Sequence, residues 1–134
     1  MIDSIDEMDN DPTPEGELTL QDLALPANTN ANGDIYGGWL MSKMDLAGSL
    51  KATQLAQGRV TTVAAGSMAF LRPVPVGSMV SCYTSVTEVG RSSIRVLVDV
   101  WLSNPVTGER YKATEGAFVY VAIDDNGRTR QISL

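Results

Sequence analysis

The sequence predicts an α+β fold in which one long helix is wrapped by an antiparallel sheet. Three observations carry this expectation. Only one stretch, from Trp39 to about Gln57, has helical apolar spacing. Five other stretches have strand patterning. Four of those follow the helix without interruption, which argues against alternating β-α units.

The elements read as follows. Glu17 to Leu23 alternates apolar and polar residues and is a short strand. Residues 26–38, PANTNANGDIYGG, are rich in Pro, Asn and Gly and form an ordered, turn-laden loop. In the helix, Leu40, Met44, Ala47, Gly48 and Leu55 fall on one stripe, and Gly58 is the expected C-terminal stop. Lys51 interrupts that stripe and is expected to snorkel to solvent. Strands are then expected over about 60–72, 77–89, 92–102 and 111–123. Gly90-Arg91 marks a hairpin turn, and Asp124 to Gly127 is a second turn signal. In the third of these strands Ile94, Val96, Val98 and Val100 share one face, with Arg95 and Asp99 on the other. One helix on one sheet leaves the sheet edges open, which favours assembly.

Composition narrows the function classes. With 134 residues and 43% hydrophobic content, the chain fits one globular domain. Six of its sixteen acids lie in residues 1–15, which hold no Lys or Arg; ten acids against ten bases remain, so the body is about neutral. Residues 1–16 therefore read as an acidic, disordered tail and 17–134 as the folded domain. A neutral body without a basic cluster argues against nucleic-acid binding. No apolar run approaches the ~20 residues of a membrane span, and the acidic N-terminus is unlike a secretory signal. With a single cysteine, Cys82, these features point to the cytoplasm. The chain has no histidine, which removes Ser-His-Asp and Cys-His catalysis, and neither a metal nor another cofactor is expected. Without histidine to activate it, Cys82 reads as a buried structural thiol.

Residues that could do chemistry concentrate in Asn30 to Gly38, directly before the helix. A helix N-terminus carries unsatisfied N–H groups and the positive end of the dipole. Gly37-Gly38 either lets a carbonyl approach those groups, as in an oxyanion hole, or merely permits a tight turn. Asp45 borders the apolar stripe beside Met41, Ala52 and Ala56. It is either a used carboxylate, or an interface acceptor or solvated edge residue. Seven residues of helix separate Gly38 from Asp45 by ~10 Å, whereas a reacting carbonyl needs both within ~3–3.5 Å. If both act, Gly38 of one protomer must work with Asp45 of another.

Several segments together resemble the YciA-type acyl-CoA thioester hydrolases, a branch of the hotdog-fold thioesterases. They are LALPANTNANGDIYGGWLMSKMD at 23–45, GRVTTV at 58–63, FLRPVPVG at 70–77, GRSS at 90–93 and RYKATEGAF at 110–118, within a similarity spanning about residues 17–132. The resemblance implies a hotdog fold that dimerises and assembles further into tetramers or hexamers. It implies hydrolysis of acyl-CoA to free acid and CoA, in fatty acid metabolism. On it, Asp45 is the general base or nucleophile and the Gly38 N–H, with Gly37 beside it, polarises the carbonyl. Asp34 lies near the thioester, and Asn32 is a candidate for orienting water or substrate. CoA contacts fall on Arg72, Arg91, Ser92, Ser93 and Lys112. Tyr36, Trp39, Met41, Met44, Met68 and Phe70 are candidates for the acyl pocket. Separately, a methionine-rich wall adapts to several shapes, so promiscuity toward short and medium acyl chains is expected. The sequence departs from the family at Gly66, where relatives carry an acid, and at Ala69, where a polar residue is frequent. That departure motivates an alternative, a non-catalytic acyl-CoA-binding or sensing module. A dehydratase of the same fold would rely on a histidine that the chain lacks.

Overall fold

The computed structural model describes residues 13–66, 68–70 and 73–133, so most of the expected acidic tail, and Arg72, lie outside the described residues. The elements are β1 (Glu17–Leu23), a 3-10 turn at Pro26–Asn28, α1 (Gly37–Ala56), β2 (Val60–Ala65), β3 (Met79–Val89), β4 (Ser93–Ser103) and β5 (Arg110–Ala122). The five strands form one antiparallel sheet in the order β1-β3-β4-β5-β2, with α1 packed across it. This is the helix-wrapped α+β architecture that the sequence predicts.

The core lies between α1 and the inner face of the sheet. Ile94, Val96, Val98 and Val100 are fully buried there. Burial of such side chains contributes about 1.5–3 kcal/mol each. Small residues on the helix stripe, Ala47, Gly48, Ala52 and Ala56, let α1 lie close to the strands beside Leu40 and Met44. Asp99, on the outer face as expected, is nevertheless buried. The Glu15 amide and the Trp101 indole each donate to its Oδ2 at 3.0 Å, and Lys112 lies 3.3 Å from its Oδ1.

Two expectations about element ends are corrected. The helix ends with Gln57, not Gly58, in the left-handed conformation at φ 52°. Arg130 Nη2 donates to the Ala56 carbonyl at 2.9 Å, and a Cβ on Gly58 would lie 2.6 Å from that same nitrogen. Gly58 thus makes room for the capping arginine. The expected 60–72 strand stops at Ala65. Beyond Gly66, whose amide still reaches the Ala117 carbonyl, the chain leaves the sheet. Pro73 and Pro75 cannot donate ladder bonds, and this segment covers the start of α1 instead.

The two sheet edges differ. Lys43 reaches Asp22 at 2.8 Å and Lys51 reaches Glu17 at 2.6 Å, so helix lysines guard β1. Lys51 does snorkel, and it finds a partner there. The Lys51 hydrogen bond and charge hold Glu17 below its ordinary pKa, and the Lys43 hydrogen bond does the same for Asp22. β2 (VTTVAA) carries no charge and is exposed along Thr61–Ala65, with Val63 55% accessible. It is the edge open to pairing.

Candidate active site

The loop before α1 is built by asparagines. Asn28 Oδ1 accepts from the Leu25 amide at 3.1 Å. Asn30 Oδ1 accepts from the Asn32 and Asp34 amides at 2.9 and 3.1 Å. A bridge pairs Thr29 with Ile35, and the Tyr36 amide donates to the Asn28 carbonyl. The loop therefore delivers an extended Tyr36 (φ −59°, ψ 134°) into α1 with no side-chain cap. The helix begins at Gly37, two residues before the expected start, so both glycines lie in its first turn. Among the described residues the N–H groups of Gly37, Gly38 and Trp39 have no acceptor, and space beside Gly38 is open. These are the unpaired donors of a helix N-terminus.

A cleft of about 410 Å³ opens there, lined by Asp34, Tyr36, Gly37, Leu40, Phe70 and Val74. The structure thus brings Asp34, Gly37, Tyr36 and Phe70 together. Asn32 is exposed on the same loop and does not line the cleft. A second hollow of about 430 Å³, at Leu102, Asn104, Val106 and Tyr111, holds none of the expected site residues.

Asp45 is not in the cleft of its own chain. It is half-buried two turns along α1, facing β2 and β5. Thr62 Oγ1 donates to its Oδ1 at 2.8 Å, and the Tyr120 hydroxyl lies 3.0 Å from the same oxygen. Oδ2 has no partner among the described residues. Asp45 is thus a held carboxylate with one oxygen left open. Thr62 and Tyr120 had no signal in the sequence, because only the fold sets them opposite each other.

The expected CoA contacts do not form one group within a protomer. Arg91, exposed, sits with Ser92 and Ser93 at the β3–β4 hairpin, beside the C-terminal end of α1. Lys112 pairs with Trp101 at the opposite end of the sheet. From Ser93 to Trp101 the strand runs ~27 Å. Lys112 is also engaged, 3.3 Å from Asp99 and 3.2 Å from Glu115. Burial works to lower its pKa, but the hydrogen bonds and charges of Glu115 and Asp99 outweigh that and raise it.

Of the remaining acyl-pocket candidates, Met44 is fully buried in the core, and Met68 is half-buried with its methyl over Gly116. Trp39 packs against the core with the Lys43 ammonium 5.4 Å from its ring. Met41 is 39% exposed on the helix. Burial pushes the Cys82 thiol up to about 12, so it stays protonated and unreactive. Gly66, the departure from the family pattern, is exposed just beyond β2.

Comparison with known proteins identifies the family. A family model for the thioesterase superfamily matches residues 32–109. The acyl-CoA thioester hydrolase YciA of Salmonella typhimurium is 53% identical over 129 residues, covering 93% of this chain and 95% of the relative. The structure is similar to that of a hexameric broad-specificity acyl-coenzyme A thioesterase, with a TM-score of 0.87 and 48% identity over 92% of this chain and 85% of that one. An aspartate-to-alanine mutant of that enzyme matches at a TM-score of 0.86 and 49% identity, over 89% of this chain and 88% of that one. A hexameric thioesterase from Yersinia pestis matches at a TM-score of 0.86 and 52% identity, over 91% of this chain and 99% of that one.

Proposed function

Because the chain belongs to the thioesterase superfamily, and to its acyl-CoA thioester hydrolase branch, we propose that it hydrolyses acyl-CoA at a site shared between two protomers. The observation that carries the shared site is the separation on α1. Gly37, whose N–H is free, lines a cleft that Asp45 of the same chain does not line, and the free N–H of Gly38 follows it in the first turn of α1. The β2 edge, uncharged and open, is the natural contact for a two-fold partner. Antiparallel pairing there turns the second protomer end for end. Its Arg91-Ser92-Ser93 hairpin then comes to the cleft end of the first, where cation and hydroxyls suit CoA phosphates. Several relatives of known structure are hexameric, and further assembly of the dimers into hexamers is expected for this chain as well.

In this reading the thioester carbonyl oxygen meets the Gly38 N–H, with Gly37 beside it, and these amides take up the charge that develops there. Asp45 Oδ2 either removes a proton from the attacking water or adds to the carbonyl as a mixed anhydride. Either way the C–S bond breaks and CoA leaves with a proton as its thiol. In the first route water supplies the new oxygen of the free acid directly. In the second, water attacks the Asp45 carbonyl of the anhydride, so the acid leaves with an Asp45 oxygen and the water oxygen stays in Asp45. Single turnover in labelled water separates the routes, since label in Asp45 marks the covalent one. Asp34 and Asn32 lie on the loop beside the carbonyl, where they orient substrate or water. Tyr36 and Phe70 frame an apolar entrance for the acyl chain. Acyl-CoA is an intracellular metabolite, and a cytoplasmic location goes with it. Among the described residues no helix is long and apolar enough to cross a membrane.

The test is release of CoA from a panel running from acetyl- to palmitoyl-CoA. Turnover with broad preference for short and medium chains is expected. Binding without CoA release would instead favour the sensing module and point to Gly66. The site draws on a carboxylate and backbone amides, so no metal or cofactor enters the reaction. Hydrolysis after dialysis against EDTA is expected to match the untreated rate, and loss restored by a divalent ion would contradict this.

A further inference from the structure

We infer that Tyr120 is a positioning residue for Asp45, admitted to it by Gly48; the inference rests on the hydrolytic role of Asp45. Tyr120 is fully buried in β5. Its hydroxyl lies 3.0 Å from the Asp45 main-chain carbonyl and 3.0 Å from Asp45 Oδ1. A buried phenol needs an acceptor, and the helix carbonyl alone would meet that need. The contact with Oδ1 acts on the side chain instead. Thr62 stands directly opposite Tyr120 in the β2–β5 ladder, and its hydroxyl donates to the same oxygen at 2.8 Å. Two donors on adjacent strands fix the carboxylate plane and leave Oδ2 for the reaction. The ladder shifts register just after Thr62, the kind of bulge that re-aims side chains beside a site.

Gly48 is three residues after Asp45 on α1, on the neighbouring part of the same face. Glycine inside a helix is unfavourable relative to alanine, so the position calls for a packing reason. A Cβ at Gly48 would fall on the Tyr120 hydroxyl oxygen and come within 2.9 Å of Cζ. Phe118 lies against the Tyr120 ring, with centroids 6.4 Å apart and planes at 20°. The hydroxyl also remains a donor: burial first, then the hydrogen bond and charge of Asp45, raise its pKa well above that of an ordinary phenol.

The experiment is steady-state hydrolysis of butyryl-CoA by the full chain, with Tyr120→Phe and Gly48→Ala each made alone and in an Asp45→Asn background. Tyr120→Phe keeps the ring, and Gly48→Ala keeps every hydroxyl while favouring the helix. If one variant does not fold, the other carries the test. Loss of a hydrogen bond to a charged group corresponds to roughly a 10- to 100-fold fall in kcat, expected here with KM within about threefold. In the Asp45→Asn background the further loss is expected to shrink to about twofold or less. Equal losses in both backgrounds, or unchanged kcat, would overturn the inference and leave Tyr120 a packing residue. If the wild-type chain released no CoA at all, the hydrolytic reading itself would fall. If the wild type were active and Asp45→Asn were not, while Tyr120→Phe matched wild type, only the positioning role would fall.

Discussion

Asp45→Ala is expected to lower kcat for acyl-CoA hydrolysis by about 10²-fold or more, the scale of a lost general base or nucleophile. The fold should survive the change. Asp45 is half-buried, its main-chain carbonyl still accepts from Tyr120 in the variant, and alanine is a better helix former than aspartate. Thr62 loses its acceptor but lies where water can replace it. The measurement is kcat and KM beside the far-UV circular dichroism spectrum. A folded Asp45→Ala protein with near wild-type kcat would remove Asp45 from the chemistry.

Gly38→Pro is expected to cost about 10²- to 10³-fold in kcat, the scale for deleting an oxyanion donor. Proline is tolerated in the first turn of a helix, where its missing N–H was unpaired in any case. A Cβ added at Gly38 meets no other segment within 4 Å, and the preceding residue is glycine, which eases the usual restriction before proline. The loss should fall on kcat more than on KM, because the donor is aimed at charge that develops in the transition state. A change in KM alone, in a protein of unchanged helicity, would assign Gly38 to binding.

Much of this site could be read from the sequence because it depends on local order along the chain. The loop at 26–38, the two glycines and Asp45 two turns into the helix are near one another in the sequence, and helical rise fixes their separation. The strands were legible from alternation, most clearly Ile94 to Val100. What escaped depends on contacts between distant segments. Thr62 and Tyr120 become partners of Asp45 only through the β2–β5 register. Gly58 looked like a helix stop, but Arg130, far along the chain, is what meets the last turn. Residues 66–72 have strand-like composition, yet the β2 ladder ends at Ala65. Among the described residues, Gly66 and Ala69 keep only single hydrogen bonds to β5, and Phe70, Pro73 and Val74 line the cleft. Asp99 alternates onto the outer face as expected, and its burial there comes from Glu15, Trp101 and Lys112 closing over it.

The most direct test of the shared site is complementation between two inactive chains. Asp45→Ala and Gly38→Pro proteins, each assembled alone, should both be inactive. Coassembled in equal amounts, half of the two-fold dimers pair one chain of each kind. In those, one of the two sites joins an intact Gly38 to an intact Asp45, so about a quarter of wild-type activity should return. Recovery near that level means that the oxyanion donor and the carboxylate come from different protomers. No recovery from verified mixed dimers would mean that each chain carries its own complete site, and that Gly38 and Asp45 are not divided between protomers.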